Sequence, residues 1–401
     1  MASEQIVIWA GTLVDGSGAA PIHDVEIVLE DGRISNVQPG AAQGRPNRDV
    51  LDARGATVVP GLINAHEHLS FKRRRGSVAE MMRESSPFLI LQAAQSARWD
   101  LQHGITSVRS VGDKDFMDVT LRRAIEQGIA EGPRIVAAGP PLLMTGGHGY
   151  PIGTEVDGPD NVRRAARANL KAGADFIKLI ASGGIATTKP GEEPLHVEFT
   201  VEEMRAAVEE AHKVGRRVAA HCHGPEATTN ALDAGVDSIE HGTLLTRELA
   251  QRMRQDGTYL VPTLSQFHQF AHHGVELGKP RSYQEGALAI LPAALDAFQY
   301  AISEGVKIVT GTDGVGDLVE EIEIFVRAGI APVEAIRAAT GRAAELLGLN
   351  AGVVRPGALA DLLIVDGDPV ANPAVLRQVR AVISRGRMAV DIGTPLAAAR
   401  V

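Results

Sequence analysis

Short apolar runs alternate with longer Ala-, Glu- and Arg-rich segments from about Val58 to Leu349, and this alternation constrains the fold more than any other feature. Residues 58–63, 105–108, 134–138, 176–180, 217–221, 236–240, 258–261 and 307–310 read as strands. The segments between them, such as 200–213 and 332–347, space their residues as amphipathic helices do. Thr200 followed by Glu203 is a capping box at a helix start. Eight strands alternating with helices predict an α/β protein built as a (β/α)8 TIM-like barrel, although a doubly wound sheet would give the same texture.

The two chain ends differ from this middle and resemble each other. Ile6-Val7-Ile8-Trp9 and the runs 25–29 and 33–37 are rich in β-branched residues, and so are 361–365 and 379–383 near the other end. Asp31-Gly32 between two such runs is a hairpin signal. Against 40 Lys and Arg stand 49 Asp and Glu, a net charge of -9, which argues against a nucleic-acid-binding surface. The one cysteine, Cys222, excludes a disulfide framework and fits a reducing cytoplasm. Residues 1–5 lack the basic and apolar regions of a signal peptide, and no charge-free apolar stretch approaches 18 residues. A soluble cytoplasmic protein with no membrane partner is expected.

In a barrel, catalytic groups collect at the C-terminal ends of the strands. His66 and His68 follow the first strand and Lys178 lies within the fourth. His221 and His223 end the fifth, His241 the sixth and Asp313 the eighth. Side chains two apart in extended backbone point the same way, so His66-x-His68 offers two imidazoles to one cation. The plain structural reading is a set of polar strand ends solvated at the barrel mouth. A His-x-His pair alone is weak, but three more ligand-type residues at successive strand ends favour a metal site.

The run Pro60-Gly61-Leu62-Ile63-Asn64-Ala65-His66-Glu67-His68, the His221-x-His223-Gly224 motif, the His241-Gly242 turn and Thr312-Asp313 resemble the amidohydrolase superfamily, in its imidazolonepropionase-like and Xaa-Pro dipeptidase-like branch. The resemblance covers nearly the whole chain, including Asp15-Gly16 and Gly357-Ala358-Leu359-Ala360-Asp361-Leu362. It implies a small β-sandwich from 1–57 plus 350–401, beside a barrel over 58–349. It implies two divalent metal ions, with His66, His68 and Asp313 on one and His221 and His241 on the other. Lys178, carboxylated by CO2, would bridge them. The alternative for Lys178 is a simple ion pair with Glu240 or Asp175, and a one-metal site stays open. Zinc suits the ligands best, with manganese or cobalt also compatible. A metal-bridging hydroxide would attack the substrate carbonyl, with Asp313 as the proton shuttle to the leaving nitrogen.

Substrate contacts are less constrained. His148, in a Gly-rich loop after the third strand, is a candidate donor to the carbonyl oxygen, and His223 a candidate substrate contact. Cys222 should point away into the core. Tyr150 and Tyr283 are candidates by loop position. Arg109, or an arginine of Lys72-Arg73-Arg74-Arg75, is a candidate grip for a substrate carboxylate, although that charge run also reads as a solvated face. His268, His272 and His273 read as a lid or pocket wall. The predicted activity is hydrolysis of an amide or peptide-like C–N bond in a small molecule, an Xaa-Pro dipeptide or an N-acyl amino acid. A cyclic amide, lactone or carbamate hydrolase is the alternative, and an inactive metal-binding scaffold the rival from outside enzymes. Homo-oligomers are common in such barrels.

Overall fold

The computed structural model describes residues 5–43, 50–72, 74–186 and 193–391. Residues 1–4 and Arg73, considered above, lie outside them. The chain divides into two compact units. The first comprises Met1–Asn64, Arg98–Ser107 and Ile322–Val401, and the second Ala65–Ala97 and Val108–Glu321.

In the first unit both chain ends enter one seven-stranded sheet. Its order is Arg387–Asp391, Val379–Ser384, Leu362–Val365, Val50–Pro60, Gln5–Leu13, Ile22–Glu30 and Arg33–Pro39. The similar texture of the two ends therefore has one cause: Leu362–Val365 pairs antiparallel with Val50–Pro60, placing Ile364 opposite Val58. Asp31 and Gly32 close the expected hairpin with φ of 50° and 76°, the left-handed pair that a two-residue turn requires. Ile8, Ile27, Leu29, Val58, Leu362 and Ile383 are fully buried together in its core. The single helix expected over 332–347 is two, Pro332–Ala338 and Gly341–Leu347. Thr340 between them leaves helical geometry at φ -139° and ψ -98°, and Gly341 packs so closely that a Cβ there would stand 2.4 Å from the Gly16 carbonyl oxygen.

The second unit is mixed α/β around a parallel sheet. Lys307–Ile308, Tyr259–Val261, Ser238–His241, Arg217–Cys222, Phe176–Ile180, Leu142–Leu143 and Thr154–Glu155 lie in that order, all parallel. A three-stranded sheet holds Leu62–Glu67, Ile105–Ser110 and Arg134–Ala137. Backbone bonds join the two sheets at two places. Asp175 N–H donates to Ala137 O at 2.7 Å, and Ala65 N–H to Thr310 O at 3.0 Å. Glu67 and Asp313 form a further parallel bridge.

Thr200 caps helix Val201–Lys213 as its sequence predicts, with Glu203 returning the bond. Tyr283 lies in a helix, Arg281–Glu304, not in a loop. The buried residues Tyr283, Ala287, Ala294, Ala297, Phe298 and Ala301 recur at helical spacing, so one face of this helix is core. The expectation that no segment is long and apolar enough to cross a membrane holds among the described residues except here. This helix has 24 residues and a mean hydropathy of 1.3 over its best 18-residue window, because its few acids are widely spaced.

Candidate metal centre

Ligand-type side chains from the strand ends of the second unit converge on one pocket. His66, His68, His148, Lys178, His221, His241 and Asp313 line it. His66 and His241 rings have centroids 4.9 Å apart, and His221 stands 4.6 Å from His241. Oδ1 of Asp313 lies 3.7 Å from Nε2 of His68 and 4.0 Å from Nε2 of His66. Among the described residues, donor atoms of His66, His241 and Asp313 lie within 4.8 Å of one another. That trio crosses the two ligand sets implied by the resemblance, so the geometry groups the donors without dividing them into two sites.

The hydrogen bonds behind the rings define which nitrogen faces a ligand. Nδ1 of His66 lies 2.7 Å from Oε2 of Glu240, and Nδ1 of His68 lies 2.7 Å from Gly112 O. An ionised carboxylate and a carbonyl only accept, so both Nδ1 atoms carry hydrogen and both Nε2 atoms carry the lone pair. By the same logic Nε2 of His221, 3.2 Å from Gly183 O, is the protonated nitrogen and Nδ1 the donor. His241 is anchored by Nδ1 at 2.7 Å from Thr263 Oγ1. Such outer contacts are what orient metal-ligating imidazoles. Burial holds His66, His221 and His241 well below the usual histidine range and takes His68 down to about 3, so all four rings are neutral at pH 7.

Lys178 is the strongest sign of a missing partner. It is 1% exposed, and Nζ has no hydrogen-bond acceptor among the described residues. Neither acid that the sequence offered as an ion-pair partner fills that role: Glu240 pairs with Arg109, and Asp175 with Arg122. Burial lowers the ammonium to about 8 and raises the Asp313 carboxyl to about 6. The backbone is strained at the same place. His241, Thr263 and Asp313 have φ of 69°, 50° and 54°, a left-handed region that non-glycine residues enter uncommonly. An orphaned buried amine beside neutral imidazoles and a carboxylate fits a cationic cofactor.

The other expected residues separate clearly. His148 belongs to the pocket. Its ring stacks 4.7 Å from His221, and its backbone N–H donates to both carboxylate oxygens of the buried Glu198 at 2.7 and 3.0 Å. A Cβ on Gly184 would come 2.1 Å from the His148 ring, so that glycine is needed for the approach. His223 is outside the pocket lining: it is buried, stacked 5.1 Å from His241, with Nδ1 at 2.8 Å from Thr243 Oγ1. Cys222 is core, with burial pushing its thiol up to about 12.

Arg109 is not a substrate grip. Its Nη2 reaches both oxygens of Glu240 at 2.7 and 2.8 Å, Nη1 reaches Ser238 Oγ at 3.1 Å and Nε reaches Ala65 O at 2.5 Å, all in the interior. Tyr150 is 42% exposed and off the pocket wall, whereas Tyr283 lines it from its helix. Lys72, read as part of a solvated run, is buried against Glu67, which also accepts from Thr312 at 2.9 Å. His268 and His272 stack at 4.6 Å on helix Leu264–His273, with His268 Nδ1 at 2.7 Å from Glu320; neither lines the pocket. Sequence reasoning passed over Glu198, Lys279 and the supporting role of Glu240. The alternation of Ser238 and Glu240 on one face of a strand was the signal for the last.

Known proteins of this shape carry related activities. Ochratoxinase of Aspergillus niger is 30% identical over 419 residues, covering 94% of this chain and 84% of the relative. A solved Xaa-Pro dipeptidase with methionine bound in its active site superposes with a TM-score of 0.87 at 34% identity, covering 96% of this chain and 99% of that one. A prolidase complexed with N-methylphosphonate-L-proline gives a TM-score of 0.88 at 29% identity, covering 96% and 99%. The Amidohydrolase family model matches residues 57–389, so the chain belongs to the amidohydrolase family and is a hydrolase of that fold.

Proposed function

We propose that this protein is a metal-dependent amide hydrolase acting on a small Xaa-Pro dipeptide or N-acyl amino acid. The observation that carries the reading is the buried, acceptor-less Nζ of Lys178 in a pocket that also holds four neutral imidazoles and Asp313. His66, His68, His221, His241 and Asp313 would hold two divalent ions, zinc by ligand type, with carboxylated Lys178 between them. Such ions polarise a carbonyl as Lewis acids and bring the pKa of a water down, to about 7 for zinc.

The chain's own residues support the rest. With its ammonium lowered to about 8, roughly one Lys178 in ten is a neutral amine at pH 7, against about one in 3,000 at the unperturbed value. The neutral amine is the form that adds to CO2, with release of one proton. Asp313 is mostly ionised at pH 7 and suits general-base then general-acid work, taking a proton from the attacking water and giving it to the departing nitrogen. His148, which lines the pocket, would donate to the oxygen on which charge develops. The dipeptidase, prolidase and ochratoxinase names of similar proteins support an amide or peptide-like bond.

The same reading takes in the fold and setting. Backbone bonds between the two sheets support a closed (β/α)8 barrel over 58–349, with a β-sandwich formed by 1–57 and 350–401 as a separate domain. A lone buried thiol supports a reducing, cytoplasmic setting. The test is turnover by zinc-loaded protein on Xaa-Pro dipeptides, N-acyl amino acids, carbamates and lactones, with and without chelator. Chelator-sensitive cleavage of the amides is expected. Cleavage of lactones or carbamates with amides left intact would overturn the substrate class.

A further inference from the structure

The pocket wall away from the ligand cluster is apolar, formed by Phe71, Val78, Ile152, Phe270, Tyr283 and Val315. One cation interrupts it. Lys279 lines the same pocket at 7% exposure, and its one hydrogen bond is a long 3.4 Å contact from Nζ to Gly76 O. Among the described residues no carboxylate lies within ion-pair distance of Nζ. Arg74 adds a second positive charge whose field reaches Lys279, and its Nη1 is buried without an acceptor.

An ammonium in an apolar wall costs several kcal/mol unless a counter-charge meets it. The Asp313 carboxylate favours the ammonium from beyond ion-pair distance, but as a proposed metal ligand its charge would be taken up by the ion. The backbone holds Lys279 in place: Gly76 N–H donates to Gly278 O at 2.8 Å, and Pro280 follows at the start of helix Arg281–Glu304. A mobile surface lysine would have neither constraint.

Resting on the amide-hydrolase reading above, we propose that Lys279, with the charge of Arg74 nearby, is the recognition point for a free carboxylate on the substrate, while the surrounding apolar wall takes an aliphatic or aromatic side chain. This assigns carboxylate recognition to the loop before helix Arg281–Glu304, not to Arg109. Burial lowers the Lys279 ammonium to about 8, so it is still largely charged at pH 7, and a bound carboxylate would raise it again.

The experiment compares an N-acyl amino acid with its carboxamide on zinc-loaded wild type, Lys279→Met and Lys279→Arg, alongside calorimetric binding of N-acetyl-L-leucine to wild type and Lys279→Met. A charge-assisted contact predicts that wild type prefers the carboxylate by about 10- to 100-fold in kcat/KM. That preference should fall to near unity in Lys279→Met and be largely kept in Lys279→Arg. A Lys279→Met protein with the wild-type preference would overturn the assignment while leaving amide hydrolysis standing. If wild type cleaves neither compound, N-acyl amino acids are removed as substrates and calorimetry decides the carboxylate site alone. Tenfold or greater weakening of N-acetyl-L-leucine in Lys279→Met then upholds the carboxylate site, and equal affinities end it.

Discussion

Oε2 of Glu240 lies 2.7 Å from Nδ1 of His66, and the same carboxylate is held by both contacts from Nη2 of Arg109. The ion pair thus fixes the tautomer of an imidazole that faces the pocket. Glu240→Gln would strand the buried Arg109 guanidinium and allow the amide to present its NH2 to His66. Removing one partner of a buried pair costs about 3–5 kcal/mol, and loss of an outer contact lowers metal affinity by about 10- to 100-fold. The expected result is a lower Tm for metal-free protein together with weaker zinc binding in a chelator competition. Unchanged zinc affinity would show that His66 needs no help from Glu240.

The contrast between what was and was not legible follows from how far each contact reaches. The histidines, Lys178 and Asp313 could be read because the end of each strand is marked locally by an apolar run. Arg109 was assigned to substrate because its partner Glu240 lies 131 residues further along the chain. Lys279 sits on a loop that no periodicity singles out. The break at Thr340-Gly341 reflects the close approach of Gly16, which the helical pattern of 332–347 cannot contain.

Glu198 tests positioning at a distance from the reacting atoms. Its two oxygens accept the His148 backbone N–H, and His148 in turn stacks on His221. Glu198→Ala should let the loop relax and misplace the ring, with a loss of about 10- to 100-fold in kcat of the kind small misplacements cause. Zinc content measured by mass spectrometry should stay at the wild-type level if Glu198 acts through the His148 backbone N–H alone. Parallel losses of zinc and activity would instead make Glu198 part of the metal site.

Lys178 exposes a conflict between stability and function. Its folded-state pKa of about 8 is below the ordinary 10.5, so between these values the unfolded chain binds more protons and stability rises with pH. Below pH 8 the full penalty of the buried ammonium is present. Lys178→Met should therefore stabilise the metal-free protein at pH 7 by about 1–3 kcal/mol, and the gain should shrink as pH rises from 8 towards 10.5. Denaturant melts across that range measure it. The same variant should bind zinc poorly, with added short-chain carboxylic acids restoring part of the occupancy. Wild-type zinc occupancy in Lys178→Met would remove the bridge from the mechanism.

Asp313 carries the opposite sign. Burial raises its carboxyl from 3.8 to about 6, so the folded state binds more protons across that window and stability falls as pH rises through it. Asp313→Asn should leave metal-free stability unchanged near pH 4 and raise it above pH 6, while abolishing amide turnover because a carboxamide cannot carry the proton. The Lys178 and Asp313 charges also lower each other's cost, since each favours the ionised form of the other. Each single replacement therefore removes one penalty and one attraction. At pH 7 the Lys178→Met/Asp313→Asn double variant should gain more stability than the two single gains combined, by the energy of that attraction. Additive gains would mean that the two charges do not interact across the pocket, and near-wild-type turnover in Asp313→Asn would remove it as the proton carrier.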